Sequence, residues 1–486
     1  AKDVVASGIH TGAGVVIGVV DTGVNRNHPA FGTPSRVIEN FDLRVPGQPD
    51  PSGFDFSVDD KVGHGTTVAS LAAGKAVGNW PGGVAQGASI VSSRIIADES
   101  PDDDGSGQGN EVRPGQGYGD FFRAVNLQIA DAASRAGAIG TIINNSWGGL
   151  YWSNDQVTNE FVNAYSDLIL NRDGLVVFAN GNSGDDPRFA ADPSDNAALP
   201  TLANDAVLEK GWLTVGALDP ANPPQLTSYS QRCGIAMNYC LVAPGNVVFI
   251  DPDATSAATS GLYQGGGTSY AAPLVSGAAA VVWSAFPYFS NDQVRQAILG
   301  GARDLGAAGV DAVFGWGLLD VSKAANGPSN FAWGDFSVAF SGNSVWRNPI
   351  IGSGGLIKGG SGILTLAEAA SFTGATRVDA GGLDIRKGLR SDLTIANGAT
   401  VWASGAFGGN VGNSGRFFNG ASTPASIAGN FSQAANGNLG VWLGSRLQVT
   451  GTATLAGQMS ILGVKSGYTT TAKETLLNAA GGVSGT

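Results

Sequence analysis

The sequence predicts an α/β fold over residues 1–328, a parallel sheet flanked by helices, followed by an all-β, solenoid-like domain over residues 329–486. Three observations carry this expectation. Continuous apolar runs rich in β-branched residues, such as Val15-Val16-Ile17-Gly18-Val19-Val20, read as strands buried on both faces. Such runs alternate with segments of helical spacing, which implies right-handed crossovers within one sheet. From Gly355 onward helical spacing stops, and short alternating runs broken by glycine and asparagine suit stacked coils.

The chain has 486 residues, room for two or three domains. Hydrophobic residues make up 43%, enough for a sizeable core, and charged residues only 14%. Lys+Arg 27 against Asp+Glu 39 leaves a net charge of −12, which argues against nucleic acid as a partner. No apolar run is long enough to span a membrane as a helix. Ala1-Lys2-Asp3 starts no charged-then-apolar leader, so a secreted form would already have lost its own. The two cysteines, Cys233 and Cys240, have no zinc spacing and no further Cys/His pair to complete a site. A short-loop disulfide, preferred here over two free thiols, implies an oxidising compartment.

Taken in order, the strand over 15–20 ends at Asp21-Thr22-Gly23, placing an acid where α/β sheets build sites. An aspartic protease would need a second such carboxylate, and no second Asp-Thr-Gly or Asp-Ser-Gly exists. Gly63-His64-Gly65-Thr66-Thr67-Val68-Ala69 sets a histidine between glycines at a helix start, where it suits a general base near neutral pH. His10 and His28 read as surface residues. Residues 89–96 form a further strand, followed by an acidic, glycine-rich loop over 98–119 that includes Asp102-Asp103-Asp104. That loop reads as a solvated segment; a lip over a cleft or a calcium site is the sharper alternative, without an ion-binding loop motif. Helical spacing covers 120–136 and 157–170, and strands cover 139–145, 175–178, 212–217 and 241–243.

Gly265-Gly266-Gly267-Thr268-Ser269-Tyr270-Ala271-Ala272-Pro273 then opens a helix dense in small residues. A serine hydroxyl leaving a glycine turn, above the positive end of a helix dipole, suits attack on a carbonyl. Read alone, Thr268 or Ser269 is equally a helix N-cap. A further helix runs over 292–302, with Ser290 and Asn291 available to cap it. Beyond Asn326–Ser329 the short strands begin, at 362–366, 376–379, 382–385, 393–395, 400–402, 439–443 and 446–449. Their spacing shows no strict period, and a β-sandwich is the alternative.

An acid after a strand, a histidine and a serine at helix starts, and an asparagine in a glycine loop are the parts of an acyl-transfer site. These segments resemble the subtilisin-like serine proteases, the subtilases. Val19-Val20-Asp21-Thr22-Gly23-Val24 is similar to the aspartate motif of that family. The His64 segment is similar to its histidine motif, with Thr67 where histidine is usual. Gly267 to Pro273 is similar to its serine motif, with Tyr270 where methionine is usual. The resemblance implies Asp21 as orienting acid, His64 as base, Ser269 as nucleophile and Asn182 as oxyanion donor, with Asn180 the nearest rival for the last role. It implies that Ser146-Trp147-Gly148 and Ala179-Asn180-Gly181 line the pockets for substrate. No metal or other cofactor is expected, beyond the calcium alternative at residues 98–119.

Joined to a glycine-rich β tail, the chain resembles the passengers of Gram-negative subtilase autotransporters. The Cys233–Cys240 segment and Tyr468-Thr469-Thr470-Thr471-Ala472-Lys473 add to that likeness. It implies a secreted or cell-surface protein, protein or peptide substrates, and an outer-membrane translocator barrel in the precursor. The alternative expectation is an adhesin whose β domain carries the main role, with the protease serving processing.

Overall fold

Strand β1 (Val15–Asp21) is buried at every position, as an unbroken β-branched run requires. In the computed structural model, which describes residues 10–42, 59–96, 110–222, 224–257, 260–469 and 473–485, β1 is the hinge of a seven-stranded sheet. β2 (Val37–Asp42) and β3 (Ser89–Arg94) build on one side of it; β4 (Gly140–Asn145), β5 (Leu175–Ala179), β6 (Trp212–Leu218) and β7 (Cys240–Pro244) build on the other. The order is β2-β3-β1-β4-β5-β6-β7, and every pairing is parallel. The direction of growth reverses at β1, so a crevice opens at its carboxyl end, where Asp21 sits.

Helices α1 (His64–Ala73), α2 (Tyr118–Arg135) and α3 (Asp155–Asn171) connect these strands. α2 and α3 are amphipathic and bury Phe122, Val125, Ile129, Phe161, Tyr165 and Leu168 against the sheet. α4 (Thr268–Ala285) is apolar on all sides and packs against α1 and the sheet. A Cβ at Gly277 would lie 2.6 Å from the Ala72 carbonyl oxygen, so only glycine lets α4 approach α1 this closely. α5 (Asn291–Gly301) starts with a reciprocal capping box between Ser290 and Gln293. The sequence reading missed the edge strand β2, whose Glu39 and Asn40 break the apolar pattern. It also missed the antiparallel hairpin of β8 (Asn246–Ile250) and β9 (Leu262–Gly266) that delivers the chain to Gly267.

Cys233 and Cys240 form a disulfide, Cα–Cα 5.6 Å, across a 3-10 turn. By loop-closure entropy so short a loop contributes about 2–3 kcal/mol.

The chain divides into two units, Ala1–Ala325 and Asn326–Thr486. The second is a parallel solenoid. One eight-stranded ladder runs through strands starting at Phe336, Leu356, Thr376, Leu393, Val411, Phe431, Ala453 and Val483. A seven-stranded and a four-stranded ladder form the other faces. The uneven intervals between those starts explain why no strict period is visible in sequence. The parallel ladders replace the alternative of an antiparallel sandwich. Corner side chains stack from coil to coil: Asp392 Oδ1 accepts from Asn410 N, Asn410 Oδ1 from Asn430 N, and Asn430 Oδ1 from Thr452 N. Lys358 is buried inside, its ammonium donating to the Gly359 and Gly360 carbonyls and lying 4.7 Å over the Phe340 ring.

His28 is not a surface residue. It is 1% exposed; Nδ1 accepts from Ala30 N at 3.2 Å, so Nε2 carries the proton it donates to the Asp251 carbonyl at 2.8 Å. Burial pushes its pKa below 6.5, against the opposing pull of the Asp251 carbonyl and the Asp251 and Asp253 charges. The unfolded chain therefore takes up this proton first as pH falls. Stability from His28 is full above about pH 6.5 and is lost as pH drops from there towards the lower folded value. Denaturant midpoints measured from pH 8 to 5 should fall more steeply for wild type than for His28→Asn. Equal slopes would remove His28 from this account.

Candidate active site

Asp60 organises the start of α1. Its Oδ1 accepts from Gly63 N at 2.7 Å and Thr22 Oγ1 at 2.9 Å, and its Oδ2 accepts from Thr66 N at 2.7 Å. Thr22 Oγ1 in turn accepts from Gly65 N at 2.9 Å, tying α1 to the end of β1. A Cβ at Gly65 would lie 2.1 Å from the Gly23 carbonyl oxygen, so the glycine after His64 is what permits this approach. His64 Nδ1 consequently meets Asp21 Oδ1 at 2.7 Å. Asp21 is fully buried, while the His64 side chain is 27% exposed. A carboxylate on Nδ1 fixes the tautomer that leaves Nε2 as the reactive atom. Burial alone would lower the His64 pKa; the charge and hydrogen bond of Asp21, with the charge of Asp60, outweigh it and raise the pKa above 6.5.

Ser269 is the second residue of α4 and half-exposed. Pro273, four residues on, has no N–H, so the Ser269 carbonyl loses its helical partner. Ser146 supplies the replacement, Oγ donating to the Ser269 carbonyl at 2.7 Å. The relay continues inward: Asn144 Nδ2 donates to Ser146 Oγ at 2.8 Å, and Ser276 Oγ donates to Asn144 Oδ1 at 2.8 Å. Every hydroxyl in it thus has a defined direction.

The two asparagines after β5 differ in what occupies their amides. Asn180 is consumed by the interior: Oδ1 accepts from Thr214 Oγ1 at 2.6 Å, and Nδ2 donates to the Gln231 and Arg232 carbonyls. Asn182 has its Oδ1 held by two donors, Thr268 N at 2.9 Å and Thr268 Oγ1 at 2.8 Å. Those donors orient the amide so that Nδ2 faces away from Thr268. A Cβ at Gly267 would lie 2.8 Å from Ser269 Oγ and 3.8 Å from Asn182 Nδ2, so both atoms border one small space that any side chain at 267 would fill.

Of the residues expected to line the substrate pockets, Gly148 is half-exposed, and a Cβ there would lie 3.0 Å from Ser194 Oγ and 3.9 Å from the Ala179 carbonyl oxygen. Trp147 turns inward, stacked on Phe122 at 4.9 Å and set edge-on to Phe178. Ala179, Asn180 and Gly181 are buried, and Gly181 N donates to Thr268 Oγ1. The side chains of Ser146, Trp147 and Asn180 are therefore all buried against the protein itself. Sequence reasoning missed Asp60 and Ser276; an acid four residues ahead of His64, at a helix start, was the available signal for the first. Among the described residues no three His, Cys, Asp or Glu side chains converge as a metal site. Asp102-Asp103-Asp104 lie outside the described residues, as do residues 470–472 of the C-terminal likeness.

The sequence profile of the subtilase family matches residues 12–317, a span that holds every residue of this site. The chain belongs to the subtilase family. A profile of the passenger-associated transport repeat matches residues 356–385 of the solenoid in this subtilase. The Neisserial autotransporter lipoprotein NalP of Neisseria meningitidis is 35% identical over 328 residues, covering 62% of this chain and 29% of that protein. Serotype-specific antigen 1 of Mannheimia haemolytica is 27% identical over 82% of this chain and 47% of its own length. An extracellular serine protease of Serratia marcescens is 28% identical over 82% of this chain and 43% of its own. The subtilase thus spans less than half the length of each of these relatives.

Ser146→Ala should leave the Ser269 carbonyl unpaired and cost about 1–2 kcal/mol in denaturant unfolding, with Ser146→Thr recovering much of it. Full stability in the alanine variant would mean that the carbonyl has another partner.

Proposed function

We propose that this subtilase is a secreted serine endopeptidase that cleaves peptide bonds through an acyl-enzyme. Ser269 Oγ attacks the substrate carbonyl carbon while His64 Nε2 takes its proton. Asp21 holds the imidazole and stabilises the imidazolium. Asn182 Nδ2 donates to the oxygen as it becomes an oxyanion. The C–N bond then breaks, the His64 proton passes to the leaving amine, and water repeats the sequence to release the acid and restore Ser269. Backbone at 146–148 and 179–181 lines the pocket for the substrate side chain. The observation that carries this reading is the His64–Asp21 pair at 2.7 Å together with an Asn182 amide locked by Thr268 beside Ser269 Oγ.

We assign catalysis to residues 1–328 and a passenger role to the solenoid, residues 329–486, with an outer-membrane translocator barrel as partner in the precursor. The transport repeat at 356–385 supports this, as do the printed names of two relatives, an autotransporter and an extracellular serine protease. The placement of the protein is accordingly secreted or surface-bound, in keeping with its disulfide.

A serine-directed phosphonate should label Ser269, and Ser269→Ala should abolish peptide cleavage; an active alanine variant would sink the proposal. Asn182→Ala should lower kcat by about 10²–10³, the size of loss known for the oxyanion asparagine of a member of this family, with little change in KM. Since His64 must be neutral to accept the proton and its pKa is raised, kcat/KM should rise with pH through a midpoint above 6.5. A flat rate from pH 5 to 9 would count against His64 as base.

A further inference from the structure

The hydrogen bond to Asp21 anchors the His64 ring at one nitrogen, Nδ1. A base that passes a proton between a serine and a leaving amine needs its plane held as well. Tyr270 supplies a surface for this. Its ring centroid lies 5.6 Å from that of His64, with the planes tilted by 31°, closer to parallel than to perpendicular. It follows the nucleophile directly in the first turn of α4, so the backbone that sets Ser269 also sets the tyrosine. Phe249 of β8 packs against it, ring centroids 5.5 Å apart. Gly265 makes room for that contact: a Cβ there would lie 2.9 Å from Phe249 Cε1 and 3.0 Å from Tyr270 Cε2.

The charged and titratable groups around the pair come from the end of β1, the turn before α1 and the chain between β6 and β7. Asp21 at the end of β1 and Asp60 before α1 act on His64. Tyr229 and Asp21 act on Tyr270, whose hydroxyl is pushed up by burial first and by those neighbours next, so the phenol stays neutral while the histidine titrates. A neutral aromatic face attracts a cation, and the imidazolium is the cation formed during catalysis.

We propose that Tyr270 is a positioning residue for the base: its ring, braced by Phe249, holds the His64 imidazole in plane and favours the protonated form. This rests on the protease reading above. It also gives a role to the residue at which the serine motif departs from the family pattern.

The test compares Tyr270→Leu, which removes the ring, with Tyr270→Phe, which keeps it, each normalised to competent enzyme by phosphonate titration of Ser269. In Tyr270→Leu, kcat should fall about three- to tenfold at unchanged KM, and the acid limb of kcat/KM should move about half a pH unit lower. Tyr270→Phe should restore both. Phe249→Leu should shift both quantities in the same direction by less. A leucine variant with the wild-type kcat and acid limb overturns the proposal. So does a loss confined to KM, which would make the ring a wall of the substrate site. Failure of wild type to take the phosphonate would overturn the protease reading and this inference with it, a result distinct from the other two.

Discussion

Pro273 cannot donate to the Ser269 carbonyl, and the site is arranged around that missing bond. The helix that carries Ser269 is anchored at this point by Ser146, through Asn144 to Ser276 of the same helix. One polar relay therefore ties Ser269 to residues 144–146. Thr268 ties the same turn to Asn182 and to Gly181 N. The first turn of α4 is thus fixed against both segments through hydrogen bonds of defined direction.

The acid and base side is built differently. Asp21 is held at the end of β1, which is buried throughout, and His64 is brought to it by close backbone contact around Gly65 and by Asp60 bonding to Thr22, Gly63 and Thr66. A buried carboxylate beside an imidazole outweighs the desolvation of the ring, so the geometry that orients the base also raises its basicity. Asn180 Nδ2 is 3.6 Å from Cys240 Sγ, which places the 180–182 loop beside the short covalent ring.

Much of this was legible in the sequence, for identifiable reasons. Asp21, His64, Asn182 and Ser269 stand out because each follows a buried strand or opens a helix among glycines, and glycine marks places where backbone must come close. What distinguishes Asn180 from Asn182 lies far along the chain, at Thr214 and Thr268. His28 was misjudged for the same reason, since its acceptor is 223 positions away. Trp147 was expected in a pocket wall; its aromatic partners in α2 and β5 draw it inward, and periodicity carries no information about which way a loop tryptophan turns. The solenoid was recognisable by composition but not by period, because ladder register is kept by the strands and the chain between them is free to vary.

That freedom is concentrated at particular corners. Three residues, 444–446, separate the strands of two neighbouring ladders in one coil and twelve, 465–476, in the next, and yet Leu447 still pairs in register with Leu477. Added sequence at this point leaves the backbone bonding of the ladder unchanged. The same corner is a natural place to graft a foreign epitope or label onto this protein.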